Sequence, residues 1–330
     1  MKSAIAGSRL EAVFRQAEAC RLCPRRCGAR RLRGETGACG AGRYARLFME
    51  YVHWAEDAII APAQTIYLDG CNLSCSFCQT REEGARLPSA RLTSGLFRDI
   101  VARGFSSGAR TVDILGGEPG VNLPALMEIF AEVGDFPGLV WNTNLYISAE
   151  ACALLDGVVD LFMADLKFGS SGCAAALSGL SDATEVAWER AREVYARSPQ
   201  TLVLRHLVLP GHFDCCTRPV LDGIARDFPD TQVSLKTVYM PPKDMPDGAS
   251  EKRFLSAAEV GRAQALANDL SLPLTADPVL SERADAATGA GEMDFEVVIT
   301  PEGGVYLRHA VREAVDMFLA ATKNTIGGSA

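Results

Sequence analysis

The chain has 330 residues, 48% of them hydrophobic, with 33 basic and 41 acidic side chains and a net charge of −8. That length exceeds one average domain and also suits a single α/β barrel with appendages. The acidic balance argues against general affinity for nucleic acid or anionic membranes, and no apolar run reaches the roughly 18 residues of a spanning helix.

Met1 to Arg9 lacks the apolar stretch and cleavage site of a signal peptide, so a cytoplasmic location is expected. Eleven cysteines would be reduced there, and an odd number in tight clusters speaks for metal rather than a disulfide framework.

Residues 3–19 predict an amphipathic helix with Leu10, Val13, Phe14 and Ala17 on one face. The helix runs into Cys20, Cys23, Pro24 and Cys27, and a loop then leads to Cys39 between glycine-bearing turns. Four cysteines with a CxxC core form a candidate metal site, for which zinc and an iron–sulfur cluster are both suitable. Arg21, Arg25, Arg26, Arg30, Arg31, Arg33, Arg43 and Arg46 surround it against one acid, Glu35. Guanidinium groups there balance the charge of four metal-bound thiolates. The competing account is a small nucleic-acid-contacting module, which the acidic whole chain disfavours. His53, Glu56 and Asp57 are expected at a solvated surface.

From Thr65 onward strand and helix alternate. Apolar strand-like runs cover 65–69, 111–115, 139–142, 158–167, 201–208 and 232–239, with helical patterns at 93–107, 122–133, 148–156, 182–197, 216–228 and 256–269. Thr93, Asn122, Ser148 and Ser181 are the expected N-caps of four of these helices. Continuous apolar strands alternating with helices imply parallel βαβ units, and six units make an open or partial barrel.

Directly after the first strand comes Gly70-Cys71-Asn72-Leu73-Ser74-Cys75-Ser76-Phe77-Cys78-Gln79, a C-x3-C-x2-C loop. Three thiolates on one loop can hold three irons of a [4Fe-4S] cluster and leave the fourth iron open to a ligand. Buried core cysteines are the bland alternative, and zinc would lack a nearby fourth ligand. Polar residues recur at the carboxyl ends of the later strands: Gly116-Gly117-Glu118-Pro119, Asn142-Thr143-Asn144, Asp165 with Lys167, Arg205 with His206, and Lys236 with Tyr239. Ligands of parallel α/β folds bind at that end. Two adjacent glycines allow close backbone approach, Glu118 suits an ammonium group, and Lys167 or Arg205 suits a carboxylate or hydroxyl-rich partner. A dinucleotide turn is disfavoured because Gly-Gly-Glu-Pro-Gly lacks the G-x-G-x-x-G pattern.

These residues carry a resemblance. Cys71, Cys75 and Cys78 with Gly116 to Pro119 resemble the radical S-adenosylmethionine (SAM) superfamily, and more closely the pyruvate formate-lyase activating enzyme homologues. Cys23-Pro24-Arg25-Arg26-Cys27, Gly34 to Cys39, Gly70 to Gln79, Trp141 to Asn144 and Arg205 to His212 are similar to that group's motifs and occur in its order. The resemblance covers about residues 20–240 and implies a partial (β/α)6 barrel, an N-terminal Cys-rich metal-binding extension and a small C-terminal α+β extension. By resemblance the parts are 1–60, 61–245 and 246–330. It implies a [4Fe-4S] cluster on Cys71, Cys75 and Cys78, with SAM on the open iron. Its amino group would meet Gly116, Gly117 and Glu118, and its ribose and carboxylate Asn144, Asp165, Lys167 and Arg205. Hydrogen abstraction from a protein or peptide and a flavodoxin- or ferredoxin-type electron donor follow from the same resemblance. A nucleic-acid-binding protein or an Fe–S carrier are the rival functions.

Two segments depart from the group: Ser234 to Pro242, which differs from the related sixth strand, and Met163-Ala164, which stands where relatives tend to have proline before the Asp. Beyond about 245 the similarity fades. Residues 271–291 predict a loop, 295–300 and 305–307 a hairpin, and 309–322 a helix. Cys152 and Cys173 are expected to be structural. Cys215-Cys216 has no assigned role, because adjacent cysteines chelate poorly.

Overall fold

In a computed structural model of the protein, the described residues are 1–275, apart from 55, 82, 83, 85 and 86, together with two strands at 296–299 and 305–308. The predicted helix at 309–322 and the predicted loop beyond residue 275 lie outside them.

Six strands run parallel and adjacent in chain order: β2 (Ala63–Leu68), β4 (Thr111–Gly116), β5 (Leu139–Thr143), β6 (Leu161–Asp165), β7 (Leu202–Leu207) and β8 (Gln232–Lys236). This is the expected partial barrel. β1 (Arg46–His53) adds antiparallel to β2 and in turn pairs with the short β3 (Ala90–Arg91). The predicted C-terminal hairpin forms as β9 (Glu296–Ile299) and β10 (Val305–Arg308), and β10 lies parallel to β1. β1 was not expected, because five consecutive buried positions, Leu47 to Tyr51, give no two-residue alternation to detect.

Strand parity explains which residues reach the barrel interior. Val112, Ile114, Leu139, Trp141, Phe162, Ala164, Leu202, Leu204 and Val233 point outward into the main core shared with the helices. The intervening residues point inward. There Val140, Met163 and Val203 pack with Ile60 as a small apolar floor. Two residues further along the same faces stand Asn142, Asp165 and Arg205, with Asp165 and Arg205 in register across β6 and β7. The barrel is thus apolar at its base and polar toward the carboxyl ends of its strands.

The helices sit close to their predicted spans. Thr93 and Ser148 cap Ser94–Ser106 and Ala149–Ala153 by accepting from Leu96 N and Ala151 N. Asn122 occupies the N-cap position of Leu123–Val133 without a side-chain cap bond; it also ends a 3-10 turn, and its Nδ2 donates to Asp69 O at 2.8 Å. Asp182, not Ser181, occupies the N-cap position of Ala183–Arg197, without a side-chain cap bond. A further short helix, Ser171–Ser178, is Ala-, Gly- and Ser-rich and so carries almost no periodic signal. The N-terminal helix Lys2–Glu18 buries Ala6, Val13 and Ala17 and packs against Leu123–Val133. Among the described residues no helix is long and apolar enough to cross a membrane.

Phe97, Phe130 and Phe136 form a ring cluster on the outer layer, with centroids 5.2–5.9 Å apart. Phe130 is 1% exposed. Phe130→Ala should therefore cost about 3–5 kcal/mol, read as a lower denaturant midpoint. A loss under about 1 kcal/mol would contradict this packing.

Candidate functional site

The cysteine loop follows β2 at the carboxyl end of the sheet, and the backbone of β4 is pressed against it. Gly117 N donates to Leu68 O and Glu118 N to Gly70 O, both at 2.8 Å. A Cβ on Gly117 would come within 1.9 Å of Gly70 O, and one on Gly116 within 2.4 Å of Leu68 N. Gly116 also has a φ of +105°. The two glycines were expected to open room for a ligand. Their closest approach is to the protein's own strand and cluster loop.

Glu118 is fully buried. Its carboxylate accepts from Gly120 N, Thr143 Oγ1 and Asn144 N, each at 2.8 Å. Burial outweighs those donors and raises its pKa to about 7. In this structure Glu118 links the end of β4 to the end of β5. From there Asn144 Nδ2 donates to Asn72 Oδ1 at 3.0 Å and approaches Cys71 Sγ at 3.8 Å. Asn72 Nδ2 in turn donates to Tyr146 O at 2.6 Å. On the far side of the loop Thr80 Oγ1 donates to Gly116 O at 2.9 Å and lies 3.5 Å from Cys78 Sγ. The cysteine loop is held from both sides by the neighbouring strand ends.

Asp165, Lys167 and Arg205 come together as expected, and they engage one another. Lys167 Nζ donates to Asp165 Oδ2, while Arg205 Nε bonds Asp165 Oδ1 and its Nη2 bonds Asn142 Oδ1. The two cations hold the Asp165 carboxyl well below the usual carboxylate range despite its burial. His206 is 1% exposed, with Nδ1 on Leu166 O and Nε2 on Thr217 Oγ1, and burial lowers its pKa to about 4. It braces the strand and does not face the site. A cleft beside Asn144, Asp165 and Lys167 has an apolar wall of Leu73, Phe168 and Trp188.

His53, Glu56 and Asp57 do not lie at a solvated surface. Asp57 is 2% exposed and bonds Ser234 Oγ at 2.7 Å and Lys236 Nζ at 2.9 Å. Glu56 stands 3.9 Å from both His53 Nε2 and Arg205 Nη1, and His53, Lys236 and Arg205 together hold its carboxyl at about 2 against burial. Asp113 completes the interior charge set, with one carboxyl oxygen 3.3 Å from Asn142 Nδ2 and the other without a partner among the described residues. Burial first, then the Glu56 charge, lifts its pKa to about 8. Asp113 is not among the polar residues that end the strands. An acid between Val112 and Ile114, in the middle of an apolar strand, is the signal that reveals it.

The N-terminal cysteines are also drawn together. The Cys27 and Cys39 sulfurs lie 3.3 and 3.4 Å from the place a Cβ on Gly37 would occupy. Arg31 is 2% exposed, donates to Gly42 O and Val121 O, and its charge favours the Cys20 and Cys27 thiolates. Arg25, Arg30, Arg43 and Arg46 are bound to Asn72 O, Glu35, Glu128 and Ser89. Cys71 N donates to Cys39 O at 2.9 Å, which joins this module to the cluster loop.

Residues 65–222, which contain the cysteine loop and the strand ends up to β7, match the family model of the radical SAM superfamily. The chain carries a radical SAM domain. The uncharacterized protein MJ0674 of Methanocaldococcus jannaschii is 26% identical over 264 residues, covering 78% of this chain and 77% of that protein. Crystal structures of Streptococcus suis SuiB, one alone and one bound to precursor peptide SuiA, align at 16% identity with TM-scores of 0.46 and 0.44. They cover 64% and 62% of this chain and 46% of SuiB, so the chain spans less than half of that protein's length.

A radical SAM domain implies a [4Fe-4S] cluster and SAM, and the donor set of the loop fits a cluster. Burial pushes the Cys71 thiol up strongly and the Cys75 thiol to about 11, so their thiolates need a compensating cation. The Lys167 charge favours the Cys75 thiolate from the other side.

The interior carboxyls of the radical SAM domain predict a pH dependence. Asp113 keeps its proton in the fold up to about pH 8, while unfolded it ionises near 3.8. The fold thus binds a proton the unfolded chain has released, and stability falls as pH rises across that span. Glu56 and Asp165 are depressed and act in the ordinary carboxylate range and below, while His206 acts below about 6.5. Between about pH 6.5 and 8 the raised carboxyls dominate. The unfolding temperature should fall across this window, and Asp113→Asn should remove most of the slope. Equal slopes in both proteins would count against the assignment.

Proposed function

We propose that this protein is a radical SAM enzyme that abstracts hydrogen from a protein or peptide substrate, in the manner of an activase or maturase. The observation that carries the first part is the three-cysteine loop braced by Gly116 to Glu118 and Asn144 within the matched domain. Support for a polypeptide substrate is the ordered motif set similar to activating-enzyme homologues. An external flavodoxin- or ferredoxin-type donor would deliver the electron. Eleven free thiols fit a reducing compartment, the cytoplasm.

A reduced [4Fe-4S] cluster together with SAM would supply radical chemistry for hydrogen abstraction from substrate here. Cys71, Cys75 and Cys78 would hold three irons. The Gly116–Gly117–Glu118 segment would meet the SAM amino group, with Glu118 acting chiefly by fixing Asn144 N and Gly120 N. Asn144, Asp165, Lys167 and Arg205 would hold ribose and carboxylate. The interlocked Asp165, Lys167 and Arg205 restrain one another's rotamers, so their donors are preorganised before SAM arrives. Cys20, Cys23, Cys27 and Cys39 would bind a second metal, as zinc or as an Fe–S cluster, balanced by the buried Arg31. With Arg25, Arg30, Arg31, Arg43 and Arg46 bound internally, no observation favours a nucleic-acid interface.

Protein reconstituted anaerobically with iron and sulfide, then given dithionite and SAM, should release 5′-deoxyadenosine. A fully loaded wild-type protein that forms none would overturn the proposal. Cys75→Ala should lose cluster absorbance and product together. Lys167→Ala should keep the cluster and weaken SAM binding about tenfold, the loss of one charge-assisted hydrogen bond of roughly 1.4 kcal/mol. Unchanged SAM affinity would remove Lys167 from the site.

A further inference from the structure

Four side chains outside the cluster loop and the N-terminal module converge on a single point. The sulfurs of Cys173, Cys215 and Cys216 and a ring nitrogen of His212 all lie within 4.8 Å of one another. They come from two loops distant in sequence: one after β6, entering helix Ser171–Ser178, and one after β7, through the turn Phe213–Thr217. We infer that Cys173, His212, Cys215 and Cys216 form a third metal site, a tetrahedral Cys3His zinc centre that clamps these two loops together.

The local structure is built for this convergence. Adjacent cysteines on a regular helix diverge, but Phe213–Thr217 is a π-helical turn, with Cys216 N and Thr217 N both donating to His212 O at 2.9 and 3.2 Å. The wide turn lets both sulfurs face Cys173. Gly169 makes the two loops meet, since a Cβ there would come within 2.4 Å of Cys215 O and 2.8 Å of Cys216 Cα. Ser170 Oγ accepts from Cys173 N at 3.2 Å and fixes the start of the helix that carries the third sulfur.

The histidine is set up as a ligand. Its Nδ1 faces Cys215 Sγ at 3.4 Å, and its Nε2 bonds Glu251 Oε1 at 2.6 Å. Ser250 Oγ lies 3.3 Å from the same nitrogen. A carboxylate accepting from one ring nitrogen leaves the lone pair on the other, which is the usual support for a metal-bound imidazole. Three sulfurs and one nitrogen are a zinc donor set. Zinc–sulfur bonds of about 2.3 Å place tetrahedral sulfurs about 3.8 Å apart, which the observed spread accommodates with small rotamer shifts. A cubane cluster would hold its cysteine sulfurs farther apart.

The test uses full-length protein purified anaerobically from zinc-supplemented cells, with metals counted by mass spectrometry. Cys173→Ser should hold about one zinc fewer than wild type, with its iron content unchanged. Cys23→Ser, which disables only the N-terminal cysteines, should retain this zinc. In that Cys23→Ser background, protein from cells grown with Co2+ in place of zinc should show tetrahedral d–d bands and thiolate charge-transfer absorption. Cys215→Ser should weaken the charge-transfer band by about a third, one thiolate of three. His212→Cys, which offers a fourth thiolate, should keep the metal and covers the case of a poorly folding serine variant. Equal zinc in wild type and Cys173→Ser would overturn the site. So would a Cys173 disulfide to either neighbour in zinc-free protein, or free reaction of all three thiols with a thiol reagent in the folded state.

Discussion

The Glu118 carboxylate is the constraint on which the carboxyl end of the barrel depends. It sits without solvent contact at the end of β4, and its three donors belong to its own turn and to the end of β5. Through Asn144 that bond set reaches Asn72 and Cys71, so the cysteine loop takes its position from a neighbouring strand end. The arrangement requires the backbones of β4 and the cluster loop to touch, and Gly116 and Gly117 make the contact possible. A buried carboxylate left unsatisfied would cost several kcal/mol, which ties the end of β4, the end of β5 and the cysteine loop to one another.

A second tier of charge lies inside the barrel. Asp113, Asn142, Asp165 and Arg205 rest above the apolar floor of Val140, Met163 and Val203, and the segment before β2 contributes Glu56 and Asp57. Lys236 and Ser234 tie Asp57 to the last parallel strand. Such a network adds little net stability, because desolvation offsets most of the attraction between charges. Its effect is geometric. It holds the cations at the mouth in one arrangement and keeps the two ends of an open sheet in register.

Cysteines then gather in three places. The N-terminal set packs behind the cluster loop, and a backbone bond from Cys71 to Cys39 joins the two. The Cys173, His212, Cys215 and Cys216 set lies across the loops after β6 and β7, the strands that carry Asp165 and Arg205. A clamp there would restrain the loops after β6 and β7, the first of which the cysteine loop also meets through Ser74 N on Ser178 O and Ser76 N on Leu177 O.

Much of this was legible in the residues themselves. The C-x3-C-x2-C spacing, the six apolar runs and the polar residues ending each run are local signals, set within one loop or one strand, and they place both the barrel and the polar rim at its carboxyl end. Pairing is not local. That Lys167 and Arg205 already share Asp165, that Glu118 faces inward, and that His53, Glu56 and Asp57 are enclosed all depend on which strand ends meet. The adjacent pair Cys215-Cys216 looked a poor chelate for the same reason. Only the π turn, and the approach of Gly169 from another loop, bring Cys173 and His212 beside it. Spacing along a chain reports ligands that one segment supplies; a site assembled from separate loops is decided by tertiary contact.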